Sequence, residues 1–400
     1  MKKFALLTVA AAAVLNLAAC GLEHVDAPDT ATPDTAEYFA VTEPGAEAAY
    51  YELPREFGRC IAPGGTAVRC PGGAGCEAYA MEGAGLTRLE SREFKAGYER
   101  FGRVYDIQVS WCAHDGAAVV TGFGGDGFEL EQVLPGNRAL VGLDCRGAAE
   151  CGAYPVVLHL ESGEVEDAFA ACGLESLRGL TDFELLPGGE SALVTQSAPE
   201  GNVYWLCRLP EGSLTCLNDL VPANWQGNVS LRAAGEGLSV METRTVGFDA
   251  QDERGYVDCV LWYVSIDDLS VRRVYSGPLE GASEDGSGIY PGGGTALLSD
   301  ERGVRGVDLA TGETFAVSPE PFAGRVSFSP DGERAALMRL RGDARIERLE
   351  IVDFNARTVC ELPLPDAGIS PDSLRWADDE RLVIDDGEYD PTRVWLYTLK

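Results

Sequence analysis

Apolar and polar residues alternate along most of this chain in short runs, each broken by a cluster of Gly, Pro, Asp, Asn or Ser. Alternation with period two buries one face of a strand and wets the other, and the breaks are turn residues, so the pattern predicts β-hairpins. Five are clear. They span 156–169, 203–217, 260–274, 304–317 and 346–362, with turns near residues 163, 212, 268, 312 and 355. Those turns recur at intervals of 43 to 56 residues, the period of a four-stranded propeller blade.

A second motif precedes the hairpins: an apolar strand, a tight turn set by Pro and Gly, and another apolar strand. Its fullest copy lies at 326–338 and contains Phe328-Ser329-Pro330-Asp331-Gly332. Shorter copies lie at 60–68, 110–120, 183–194, 289–298 and 374–384. The Phe-Ser-Pro-Asp-Gly copy resembles the WD40-like repeat of TolB-type β-propellers, and the likeness runs over most of residues 58–400. It implies an all-β fold: a single β-propeller over residues 38–400, with seven four-stranded blades, or eight if 92–134 forms its own. The chain ends on 394–400, a third strand with no fourth after it. Residues 48–53 can supply that fourth strand from the N-terminal side, closing the ring and protecting its edges.

The N-terminus breaks the alternation. Lys2 and Lys3 precede an uncharged run from Phe4 to Ala19, and Leu17-Ala18-Ala19-Cys20 follows the lipobox pattern. A charged start and a short apolar stretch make an export signal rather than a membrane span. Residues 1–19 are therefore expected to be a signal peptide, and Cys20 the site of lipidation (diacylglycerol, with palmitate-type chains), held by more than one acyl chain. Gly21 in place of an aspartate favours the outer over the inner membrane. Residues 20–37 carry little to bury and read as a disordered tether, spanning roughly 20–25 Å as a flexible coil.

Charge and cysteine content sharpen the picture. The chain has 64 acidic against 32 basic residues, a formal net charge of −32, and losing Lys2 and Lys3 takes it to −34. Nucleic acid needs a basic surface, so it is excluded as a partner. Of 12 cysteines, 11 remain beside Cys20, and export predicts that most pair. Cys207 and Cys216 flank one turn, Cys145 and Cys151 another. Cys60 and Cys70 form a further candidate pair, with Cys76 competing for Cys70. Cys112, Cys172, Cys259 and Cys360 can pair only through the fold.

No nucleophile elbow, phosphate loop, zinc-protease motif or dinucleotide fingerprint occurs. The three histidines, His24, His114 and His159, fall in the tether, a turn and a strand, which leaves little for general acid–base work. The acidic loop Asp385-Asp386-Gly387-Glu388-Tyr389-Asp390 offers Asp385, Asp386 and Asp390 as oxygen ligands for calcium, without EF-hand spacing. Trp225 lies in a polar loop and is the candidate stacking residue for a sugar or peptide. The reading is an anchored extracytoplasmic propeller, without a cofactor, that binds a protein partner or an envelope polymer. The alternative is a carbohydrate-active hydrolase or lyase using carboxylates at the channel.

Overall fold

Each of the five hairpins forms where the alternation places it, as the last two strands of consecutive blades. The protein is seen in a computed structural model, which describes residues 37–42, 49–53, 61–62, 66–69, 76–82, 85–114, 116–249, 254–279, 288–300, 303–322, 324–340, 345–364, 373–385 and 394–399. Among the described residues the strands form eight sheets, numbered here as blades I to VIII in chain order. Blades III to VI have four antiparallel strands each: 128–166, 180–216, 228–279 and 289–318. The innermost strands Asn228–Ala234, Ile289–Gly292, Gly324–Phe328 and Ser373–Asp378 touch in succession, and the last touches Ile61–Ala62 of blade I. The fold is a β-propeller.

Closure follows the expectation. Ala49–Leu53 pairs antiparallel with Val394–Thr398 as the outer strand of blade VIII, with Tyr51 opposite Leu396. A second N-terminal strand, Ala40–Thr42, lies parallel to Thr358–Leu362 and makes blade VII five-stranded. The signal and tether residues 1–36 lie outside the described residues.

Two corrections concern blade II. It is an eighth blade, but it holds three strands, Arg92–Arg100, Arg103–His114 and Ala117–Gly124. The segment 92–134 does not form one unit, because Phe128–Leu134 is the inner strand of blade III. Blade II also runs backwards, from rim to centre. Arg100 reaches Tyr154 and Asp167, and Arg92 reaches Glu161, which lays Arg92–Arg100 over the outer half of blade III. The Tyr105 hydroxyl donates to the Asp144 carbonyl at 3.2 Å, one strand further in. Ala117–Gly124 touches the inner strand Phe128–Leu134. The reversal explains the two three-residue links that flank the blade, 89–91 and 125–127: rim joins rim, and centre joins centre.

The Ser-Pro-Asp-Gly turn shows why its residues are present. The Asp331 carboxylate accepts from the Ser329 hydroxyl and the Glu333 amide, while the Arg334 amide donates to Ser329 Oγ at 2.9 Å. Gly332, at φ +73°, ends the turn against Gly293 of blade VI. A Cβ on Gly332 would fall 2.7 Å from the Gly293 Cα, so both turns need glycine for the two blades to meet.

Candidate functional site

Among the described residues, two recesses and one inner-strand cluster bring chemistry-bearing side chains together. The first recess encloses about 300 Å³ between blades VI and VII. Its walls are the first and last turns of both blades: Gly294 and Thr295, Asp308 and Glu313, Asp331 to Glu333, and Phe354, Asn355 and Arg357. Phe39, the residue before the strand Ala40–Thr42, completes it from the N-terminal side. Its ring stacks on Phe315 at 5.6 Å, and Phe315 meets Phe354 edge to face at 6.2 Å. The Ala40 amide donates to the Arg357 carbonyl at 3.0 Å, which fixes the segment. Two of the four carboxylates hold the turns: Asp308 accepts from the Thr311 amide and hydroxyl, and Asp331 acts as above. Glu313 and Glu333 are exposed. Aromatic faces beside surplus carboxylates suit an ammonium or guanidinium group.

The second recess, about 330 Å³, lies between blades I and II and includes Glu77, Arg88, Glu90 and the buried Cys112. Arg88 pairs with Glu77 at 2.7 Å, and burial pushes the Cys112 thiol up.

The cluster lies on the inner strands of blades III and IV. Glu131 sits at a β-bulge between Leu130 and Gln132, which turns its carboxyl over Gly142, where a Cβ would fall 2.3 Å from Glu131 Oε1. Burial, then the charges of Asp182 and Glu129, raise Glu131 to about 7. Burial and Asp182 also raise Glu184, opposed by Arg232. Gln132 ties the two blades by accepting from the Leu185 amide at 2.9 Å. Because the folded state holds the Glu131 proton more tightly than the unfolded chain, this carboxyl lowers stability as pH rises from about 4.5 to 7 and no further above that. Glu131→Gln is therefore expected to stabilise the protein at pH 8 by about 1 kcal/mol, the full linkage value being reduced by solvent at a half-buried group. At pH 4 it should change nothing. Urea unfolding at the two pH values checks this.

The residues singled out in the sequence fare unevenly. Trp225 is engaged in packing: its indole N–H donates to the Val221 carbonyl at 3.1 Å and its ring lies 5.4 Å from Tyr204. Its loop is held by buried Glu242, which accepts from the Asn224 amide at 3.1 Å. Asp385 is buried and accepts from the Ser373 hydroxyl, while Asp386 and Asp390 lie outside the described residues. Among the described residues no group of three His, Cys, Asp or Glu side chains could hold a metal ion. His159 pairs with Glu166 at 2.8 Å.

Cys60 and Cys70 lie outside the described residues, as does Cys20. Cys145 and Cys151 are brought together: the Cys145 amide donates to the Gly152 carbonyl at 2.8 Å, and the two buried thiols interact. The placement of Cys207 opposite Cys216 is corrected. Register sets Cys207 against Leu214 and Cys216 against Trp205. The loop closes at Arg208 and Ser213, with Gly212 at φ +62° as its last residue rather than its centre.

No family model matches the chain, and no curated protein does. Solved structures similar to it include the β-propeller domain of the Trilobed protease from Pyrococcus furiosus, at 10% identity over 90% of this chain and 96% of that one, TM-score 0.44. TolB from Acinetobacter baumannii is similar at 15% identity, TM-score 0.31; the match covers 69% of this chain and only 64% of TolB. An oligogalacturonate lyase in complex with manganese is similar at 13% identity over 78% and 98%, TM-score 0.28.

Proposed function

We propose that this chain is a lipid-anchored, extracytoplasmic propeller, without a catalytic role, that binds a protein partner through a basic segment at the recess between blades VI and VII. The recess is the observation that supports this reading: three phenylalanine rings and four carboxylates against one arginine, on turns whose backbone is fixed by their own hydrogen bonds. A lysine or arginine side chain would lay its apolar stem on the rings and its charge among the carboxylates. Lipidation at Cys20 accounts for the tether, which enters the fold at Phe39 beside the recess. An outer-membrane location belongs to the same proposal.

Glu313 and Glu333 are the residues to change, because their exposed carboxylates can be neutralised without opening a turn. Short Lys/Arg peptides are expected to bind the purified protein, and Glu313→Gln/Glu333→Gln to weaken that binding at least tenfold, read by fluorescence anisotropy. Equal binding by the variant, or a preference for neutral peptides, would reject the recess as the site. The Cys20→Ala variant should bind the peptides equally but leave the membrane fraction and lose labelled palmitate. A second reading rests on Glu131, whose raised proton affinity suits general acid work in a hydrolase or lyase. Polysaccharide cleavage that disappears in Glu131→Gln would establish it.

A further inference from the structure

We propose that Cys172 and Cys207 form a disulfide that staples the connection between blades III and IV onto blade IV. Cys172 ends the short 3-10 turn Ala170–Cys172 in that connection, and Cys207 lies within the strand Gly201–Arg208. Both are free thiols buried in one apolar cluster, and they lie near enough to perturb each other. The backbone around them leaves no slack. A Cβ on Gly212 would fall 2.6 Å from the Ala171 Cβ and 2.9 Å from its carbonyl oxygen, so the turn before Cys172 is pressed against the last hairpin of the blade. The Cys172 amide donates to the Phe169 carbonyl at 3.0 Å, holding that turn.

The chemistry needs an oxidant, here a low-molecular-weight disulfide. The nearby Cys207 lowers Cys172, while the same contact and burial raise Cys207, so Cys172 is the attacking sulfur. Its thiolate displaces one thiolate from the oxidant. Cys207, losing its proton, then attacks the mixed disulfide at the Cys172 sulfur and expels the remainder. Two protein thiols are oxidised and one external disulfide is reduced to two thiols. Both sulfurs are buried in the folded protein, so the exchange belongs to folding, before the connection seats.

Formation in the cell rests on the extracytoplasmic reading, and two arms keep the ideas apart. In the first, purified protein is refolded in a glutathione redox buffer, blocked with iodoacetamide and digested with trypsin without reduction. Fragment 147–178 joined to fragment 179–208, with the bond placed at Cys172 by fragmentation, is the expected result. Fragment 179–208 joined to 209–232, or Cys207 recovered alkylated, would overturn the proposal. In the second arm the same digest is made from protein alkylated inside cells. Cross-link formed on refolding but absent from cells would leave the staple standing and count against the compartment. The refolded wild type should also lose urea midpoint on reduction, by more than a Cys172→Ser/Cys207→Ser variant does.

Discussion

Arg339→Met is expected to lower the unfolding free energy by about 3 kcal/mol, at the lower end of the range for breaking a buried ion pair. Arg339 and Glu350 are 5% and 6% exposed on neighbouring strands of blade VII. The guanidinium Nε donates to Glu350 Oε2 at 2.8 Å. It also donates to the Pro321 carbonyl and lies 5.5 Å from the Phe322 ring centre. Removing it leaves a buried carboxylate with one oxygen unpaired. The loss stays at the low end because Arg348 holds the other carboxylate oxygen at 3.3 Å. A second change separates charge from shape. Arg339→Met/Glu350→Leu removes both charges in similar volume and should recover most of the loss, as measured by urea unfolding at neutral pH. A double variant as unstable as the single one would show that packing around Phe322, not the stranded charge, sets the cost.

Neither residue of that pair could be read from the sequence as a partner of the other. Alternation places them on strands, but the register that sets Arg339 opposite Arg348 and Glu350 opposite Leu337 depends on a loop whose length alone does not fix pairing. The same limit explains the cysteines. Around 145 and 151 the turn is nearly symmetric, with Asp144 opposite Ala153, and sequence symmetry gave the correct neighbours. Around 207 and 216 the turn closes one position earlier than symmetry suggests, and Cys207 shares a buried cluster with Cys172, 35 residues away, instead.

Strands and turns were legible because hairpins are local: every predicted hairpin and every copy of the second motif is a strand pair. The reversal of blade II was not, because period-two alternation reads alike in both directions. Its trace lies in link length, three residues on each side of the blade against 13 between blades III and IV. The recess was hidden for another reason. Its lining joins Phe39 to four separate turns at positions between 294 and 357; each turn lies in a local motif, but no local pattern brings the four together. Phe39 precedes the strand Ala40–Thr42, and its stacking on Phe315 is a tertiary fact.

Closure of the ring yields the other large effect. Trp395, 2% exposed, packs among Met338, Leu349 and Tyr397 where blades VII and VIII meet, and Trp395→Ala is expected to cost about 3–5 kcal/mol. That change weakens the core while leaving the strand ladder in place. Prolines at Tyr50 and Tyr51 do the opposite. In an antiparallel pair, amides of alternate residues point at the partner strand. Two adjacent prolines therefore remove a ladder donor whichever parity holds. The outer strand of blade VIII should detach, leaving Val394–Thr398 as an open edge able to pair with a second molecule. Trp395→Ala should thus lower the urea midpoint and elute as a monomer. The proline variant should lower it and also form dimers or larger species on size exclusion. The closing strand follows closely on Ala40–Thr42, so tension on an N-terminal tether would enter the ring through the same seam. A proline variant that stayed monomeric at the wild-type midpoint would mean that core contacts alone close the ring, with the N-terminal strand merely resting on its edge.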